Sequence, residues 1–318
     1  MAVSDTRFKL NTGAEIPALG LGTWQSSPEE VQNAVFHAIK VGYRHIDTAF
    51  CYQNEEAVGK GIRQAIDAGI VKREDLFVTT KLWCTYARRV QENLELSLKN
   101  LGLDYIDLYL VHWPVYMNPN GNHPLFPKLP DGSRDLIRTH NHVDTWKDME
   151  KLLDTGKVKA IGVSNYSKRY LEELLPHASV VPAVNQIENH PALPQQEIVD
   201  FCKEKGIHVT AYSPLGSTGS PLMSADAVVE VANRKGVSPA TVLLSWHIAR
   251  GSSVLAKSVN PARIEANRNL VKLDEADMAT IAKYSDELLA KKAFKRPECL
   301  ISINLAKESK KKDQFDQS

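Results

Sequence analysis

The sequence predicts an α/β protein of the (β/α)8 TIM-barrel type, and three observations predict it. Short apolar, β-branched runs alternate with charged, helix-periodic segments, a rhythm that implies parallel strands joined by helical crossovers. Eight such units follow one another without a Gly-Pro-Ser linker in a chain of 318 residues, a length that one large barrel fills. An open doubly wound sheet is the alternative, but its glycine fingerprint fails. GLGT after Leu19 runs into Trp24 with no third glycine.

In chain order, a hairpin comes first, FKL–NTGAE–IP, with its turn at Asn11 to Gly13; in a barrel it would plug the bottom. The eight strand candidates are ALGLGTW (18–24), YRHIDT (43–48), LFVTTKLW (76–83), IDLYLVHW (106–113), VKAIGVSN (158–165), AVNQIEN (183–189), IHVTAYS (207–213) and SVLAKS (253–258). Most precede a helical pattern such as PEEVQNAVFHAIKVG, which opens with proline and two acids. Two connections exceed a simple turn: Pro114 to Asn141, rich in Pro, Gly and Asn, and the segment after Lys291. Long loops on the carboxyl face of a barrel shape a ligand site. We expect one domain over 1–318, with a flexible basic tail from about residue 306, KESKKKDQFDQS.

Lys+Arg number 39 against 38 for Asp+Glu, so charge gives no reason to expect nucleic acid or an anionic membrane as partner. MAVSDTRFKL lacks the apolar core of a signal peptide, and no run has membrane-spanning length. Cys51, Cys84, Cys202 and Cys299 form no CxxC pair or zinc spacing. A cytoplasmic monomer with reduced thiols is expected.

Chemistry in this fold lies where strands end, and the polar residues of these strands gather there. YRHIDT ends on Asp47, with Tyr52 in the next loop; LFVTTKLW carries Lys81 and IDLYLVHW carries His112. Asp47 and Lys81 alone would read as a structural ion pair, and His112 alone as a satisfied core histidine. A tyrosine and a histidine on the same rim change that reading. An ammonium beside a phenol favours phenolate, which makes Tyr52 a general acid able to protonate a developing alkoxide. Asp47 would orient Lys81, and His112 would donate a hydrogen bond to the substrate oxygen. With no nucleophile or base for water, the set suits polarising a carbonyl while another group delivers hydride. A metal site built on His45 and Asp47 is the competing idea. Lys81 would repel a divalent ion, and His190 and His208 add no ligand pattern, so no metal is expected.

The later strands offer anchors for a nicotinamide. Ser164, Asn165 and Gln186 suit a carboxamide, and Tyr212 suits a flat ring. SPLGSTGSP, from Ser213 to Pro221, suits a pyrophosphate. KSVNPARIEAN, from Lys257 to Asn267, sets Lys257 and Ser258 before a helix opened by Pro261, with Arg263 in its first turn. Cations at a helix N-terminus make an anion site.

GLGTWQS, GYRHIDTAFCYQNEEAVG (42–59), LGLDYIDLYLVHWP (101–114), GKVKAIGVSNYS (156–167), PAVNQIENHP (182–191), AYSPLGS (211–217) and AKSVNPARIEAN (256–267) together resemble the aldo-keto reductase family over nearly the whole chain. The pattern is most similar to fungal members that reduce small aldehydes and glyceraldehyde-type sugars, or oxidise glycerol in reverse. The resemblance implies a tetrad of Asp47, Tyr52, Lys81 and His112, with Tyr52 as proton donor. It implies that Ser164, Asn165, Gln186 and Tyr212 hold the nicotinamide, and that Ser213, Leu215 and Ser217 line the pyrophosphate channel. Lys257, Ser258, Val259, Arg263 and Asn267 would hold the adenosine 2′-phosphate end, hence NADPH/NADP+ rather than NADH; Glu188 would support the site from behind. Three positions depart from many relatives: Ala256, Ala266 and Gly219. The adenine end is therefore expected to be held less tightly.

Trp24, Phe50, Trp83, Trp113 and Phe126, with Tyr116, flank the rim segments and suggest an apolar substrate pocket. Cys299 lies in a terminal segment where the family shapes specificity. The function implied is NADPH-dependent reduction of aldehydes or ketones. A cofactor-binding sensor or regulatory subunit with little turnover is the other class kept open.

Overall fold

The computed structural model describes residues 2–216 and 220–290, without the side chains of 289 and 290. Ser217, Gly219, Cys299 and the basic tail lie outside the described residues. A two-stranded antiparallel hairpin, β1 (Arg7–Lys9) and β2 (Glu15–Pro17), precedes a closed barrel. The barrel strands are β3 (Leu19–Gly22), β4 (His45–Asp47), β5 (Phe77–Leu82), β6 (Leu108–Val111), β7 (Ile161–Ser164), β8 (Val184–Glu188), β9 (His208–Tyr212) and β10 (Ser253–Lys257). All are parallel to their neighbours, and β10 pairs with both β9 and β3. All eight predicted strands are present, each shorter than its apolar run. His112 and Trp113 lie beyond the end of β6, and Asn165, Ser213 and Ser258 each follow a strand end.

The outer helices are α1 (Pro28–Lys40), α2 (Glu55–Asp67), α3 (Val90–Leu101), α4 (His142–Lys151), α5 (Lys168–Leu174), α6 (Gln196–Glu204), α7 (Asp226–Lys235), α8 (Pro239–Ala249), α9 (Pro261–Ala266) and α10 (Glu275–Ala290). α1 illustrates how sequence fixes them. Ser27 caps it in a reciprocal capping box with Glu30, and Pro28 opens it. Val31, Ala34, Val35, Ala38 and Ile39 recur at helical spacing and are buried. No helix among the described residues is long and apolar enough to cross a membrane.

Side chains alternate along each strand, and this alternation sorts the molecule. Ile46, Val78, Tyr109, Val111, Ile161, Val163, Ile187 and Val209 belong to the main core shared with the helices. The other parity points into the barrel. At its lower end Leu10 and Ile16 of the hairpin region pack with Phe77, Leu108, Leu110, Ala160 and Val184, so the hairpin closes the bottom. Higher up, His45 bonds the Pro17 carbonyl and the Thr79 hydroxyl, and His208 bonds Ser253. The same parity reaches the top as Asp47, Lys81, Ser164, Gln186 and Tyr212. Gly20 makes this filling possible: a Cβ there would lie 2.7 Å from Leu255 and 2.8 Å from the His45 ring.

Candidate active site

The centre of the upper face is a buried ion pair. Lys81 Nζ lies 2.7 Å from Asp47 Oδ1, with side-chain exposures of 0% and 4%. Its other contacts are the Thr48 carbonyl at 2.8 Å and the Tyr52 hydroxyl oxygen at 3.4 Å. An ammonium has three donors and no acceptor, so these three contacts exhaust it. The Tyr52 oxygen must therefore accept from Lys81, and its own hydrogen is directed elsewhere. The second Asp47 oxygen accepts from Gln186 Nε2 at 2.7 Å, and the Asp47 backbone carbonyl accepts from Thr23 at 3.0 Å.

Local structure places Tyr52. β4 ends at Asp47, and a single 3-10 turn over Phe50–Tyr52 follows. Gln53 then turns left-handed at φ 57°, and Asn54 donates to the carbonyls of Thr23 and Ser26 at 2.9 and 3.2 Å. The loop after β4 is thus tied to the loop after β3. Gln25, Asn165 and Ser213 also take positive φ just past strand ends, conformations that cost energy outside glycine and concentrate at functional rims.

His112 is buried, and its ring meets the edges of Trp83 at 5.2 Å and Tyr52 at 5.8 Å. Burial, and then the Lys81 charge, holds its pKa well below the ordinary histidine value. It is neutral at pH 7 and carries one N–H. Its Nδ1 lies 3.6 Å from Cys51 Sγ. Cys51 is a contact that the sequence argument missed, although it directly precedes Tyr52.

The residues assigned to the nicotinamide adjoin one another. Ser164 Oγ donates to the Gln186 carbonyl at 2.8 Å, and Asn165 Nδ2 donates to the His112 carbonyl at 3.0 Å. The Tyr212 hydroxyl donates to Asn165 Oδ1 at 2.7 Å. A continuous network therefore runs from Lys81 through Asp47 and Gln186 to Ser164 and Asn165. Ser213 and Leu215 follow β9; Glu188 ends β8 and lies 3.5 Å from His190.

Lys257 ends β10, and Lys257 and Arg263 are exposed; Lys257 Nζ lies 3.5 Å from the Gln25 carbonyl, and its charge acts on the Glu30 carboxylate. The helix N-terminus expected to bind an anion is already capped by Asn260. α9 is only 6 residues long, and its Arg263 N–H is already accepted by Asn260 Oδ1 at 3.1 Å. Ser258 Oγ accepts from the Asn260 N–H, also at 3.1 Å. Any anion site here rests on the two cationic side chains. Val259 packs on the main core, and Asn267 closes α9.

Four of the five pocket aromatics meet. Trp83 belongs to a cluster with Cys84, Met117 and Leu125, against which Phe50, Trp113 and Phe126 pack. Trp83 is itself buried, and its Nε1 donates to the Leu125 carbonyl at 2.7 Å. Trp24 stands apart, 51% exposed. Tyr116 lies elsewhere too, against His140 at 5.0 Å. The competing metal ligand His45 is taken up by its two barrel contacts, and burial lowers its pKa to about 4.

Comparison with known proteins agrees with this architecture. A profile of the Aldo/keto reductase family matches residues 18–286. D-galacturonate reductase of Hypocrea jecorina is 66% identical, over 92% of this chain and 94% of that protein. Glycerol 2-dehydrogenase (NADP(+)) of Saccharomyces cerevisiae is 50% identical, over 88% and 91%. The solved structure of the aldose reductase from Schistosoma japonicum superposes with a TM-score of 0.84 at 42% identity, covering 88% of this chain and 92% of that one. With the barrel, its hairpin plug and the family profile in agreement over most of the length, the chain belongs to the aldo/keto reductase family.

Proposed function

We propose that this chain reduces aldehydes and ketones to alcohols with NADPH, and runs in reverse as an NADP-dependent polyol dehydrogenase. The observation that carries the reading is the Tyr52 oxygen 3.4 Å from a fully buried, fully used Lys81 ammonium. The residues present fit the cofactor. Ser164, Asn165, Gln186 and Tyr212 form one polar network beside the ion pair, suited to a carboxamide and its ring. Lys257 and Arg263 supply exposed positive charge for a 2′-phosphate, with Ser258, Val259 and Asn267 around them; Ser213 and Leu215 would follow the pyrophosphate. NADPH, when bound, supplies the hydride.

The side chains then do the following. Neutral His112 donates its N–H to the carbonyl oxygen and orients it. Tyr52 gives its proton to that oxygen as negative charge develops, since the neighbouring ammonium stabilises the phenolate left behind. Asp47 holds Lys81 in place. Trp83, Phe50, Trp113 and Phe126 form an apolar wall that excludes water from the proton transfer. Substrates range from glyceraldehyde-type aldehydes to sugar acids such as D-galacturonate, following the names of the relatives. The rival of a silent cofactor-binding subunit has no observation in its favour.

We further infer a cytoplasmic monomer, acting as one domain, from the absence of paired cysteine spacings and linkers. Tyr52→Phe tests the central reading. Turnover of DL-glyceraldehyde should fall by about 10²-fold or more, while NADPH still quenches tryptophan fluorescence. Retained turnover would refute the role of Tyr52.

A further inference from the structure

A neutral imidazole carries one hydrogen on one of two nitrogens. A carbonyl oxygen offers only lone pairs, so His112 can hold one only with the nitrogen that bears the hydrogen. The hydrogen bond made by the other nitrogen sets where that hydrogen sits. For His112 that partner is a sulfur. Nδ1 lies 3.6 Å from Cys51 Sγ, the one hydrogen bond of the His112 ring among the described residues.

The ring direction is fixed independently. Its plane stands at 74° to Trp83 and 75° to Tyr52, with ring centres 5.2 and 5.8 Å away. The His112 backbone N–H donates to the Leu82 carbonyl at 3.2 Å, and its carbonyl accepts from Asn165 Nδ2 at 3.0 Å. Cys51 is delivered by the same turn as the proposed proton donor. The 3-10 turn Phe50–Tyr52, in which the Tyr52 N–H donates to the Ala49 carbonyl at 3.0 Å, sends Cys51 to His112 and Tyr52 to Lys81. Cys51 is half-buried against the Trp83 cluster and forms no disulfide among the described residues, so its sulfur keeps a hydrogen.

Two arrangements of these hydrogens fit the contact. If Nδ1–H donates to sulfur, a weak acceptor, Nε2 is left with a lone pair that repels a carbonyl oxygen. If S–H donates to Nδ1, the ring hydrogen sits on Nε2 and meets that oxygen as a donor. We propose that Cys51 is a positioning residue whose thiol donates to Nδ1 and holds the His112 hydrogen on Nε2, ready for the substrate carbonyl. This rests on the reading in which His112 orients that carbonyl.

The test reads the hydrogen directly. Two-bond proton–nitrogen correlation spectra of the full chain, labelled with nitrogen-15 histidine and free of substrate, report which ring nitrogen is protonated. The His112 signals are those lost in His112→Gln. The wild type should show Nε2–H alone. Cys51→Val keeps the bulk without a donor; it should populate both forms and lower kcat/KM for DL-glyceraldehyde about fivefold, the worth of one neutral hydrogen bond. Cys51→Ser, whose hydroxyl can donate, should restore Nε2–H and recover most of the activity, which a packing role would not predict. A wild type protonated on Nδ1 overturns the proposal. So does a Cys51→Val variant with wild-type tautomer populations, or one with kcat/KM within twofold of wild type, or a Cys51→Ser variant no better than Cys51→Val. If no form reduces any carbonyl, the reductase reading falls, while the spectra still decide whether Cys51 sets the tautomer.

Discussion

Replacing Lys81 by methionine separates the two tasks of the buried ion pair. Methionine matches the stem of lysine but leaves Asp47, with 4% side-chain exposure, facing no cation. Removing one partner of such a pair costs about 3–5 kcal/mol, a fall in Tm of about 4–8 °C for a chain of this length. The chemical loss is separate. An ammonium 3.4 Å from the Tyr52 oxygen interacts with a phenolate by about 5 kcal/mol at an effective dielectric of about 20. Asp47, on the other side of the ammonium, returns part of this, so kcat should fall about 10²–10⁴-fold. Differential scanning calorimetry and steady-state reduction of DL-glyceraldehyde read the two effects. The double variant Asp47→Asn/Lys81→Met removes the orphaned charge and should recover most of the lost Tm, with kcat still low. The reasoning is refuted if Lys81→Met melts no lower than the double variant, or if its kcat stays within tenfold of wild type.

Lys257→Ala or Arg263→Ala should weaken NADPH by about 10–100-fold, the value of one charge-assisted hydrogen bond, and NADH far less; equal losses measured by fluorescence titration would place the 2′-phosphate elsewhere. Burial lowers His45 to about 4, so below pH 6.5 the unfolded chain binds a proton that the folded chain refuses until about pH 4. Stability from this group is complete above pH 6.5 and declines by about 3 kcal/mol as pH falls to 4. His45→Gln should flatten the urea midpoint against pH over that interval by close to one proton, and an unchanged slope would rule His45 out as its source.

Much of the site could be read from the sequence because barrel strands carry a strict two-residue alternation. Asp47, Lys81, Ser164 and Gln186 share the inward parity, and their place near strand ends follows from where the apolar runs stop. The strand ends themselves were overdrawn. His112 is as buried as a strand residue, and nothing in IDLYLVHW marks Val111 as the last paired one. The helix after β10 shows the opposite failure. Pro261 announces a helix start, but only the structure reveals that Asn260 already caps it. Cys51 was missed because its partner His112 is 61 residues away.

The closed barrel leaves none of its eight strands with an unpaired edge, so among the described residues only the hairpin at its base offers an edge for strand addition. That hairpin is a poor template. Each strand is three residues long, its outward positions are Arg7, Lys9 and Glu15, and Pro17 has no N–H to offer. Charge, shortness and proline are the features that discourage edge-to-edge growth. At high concentration the described strand edges should therefore not seed fibrillar association.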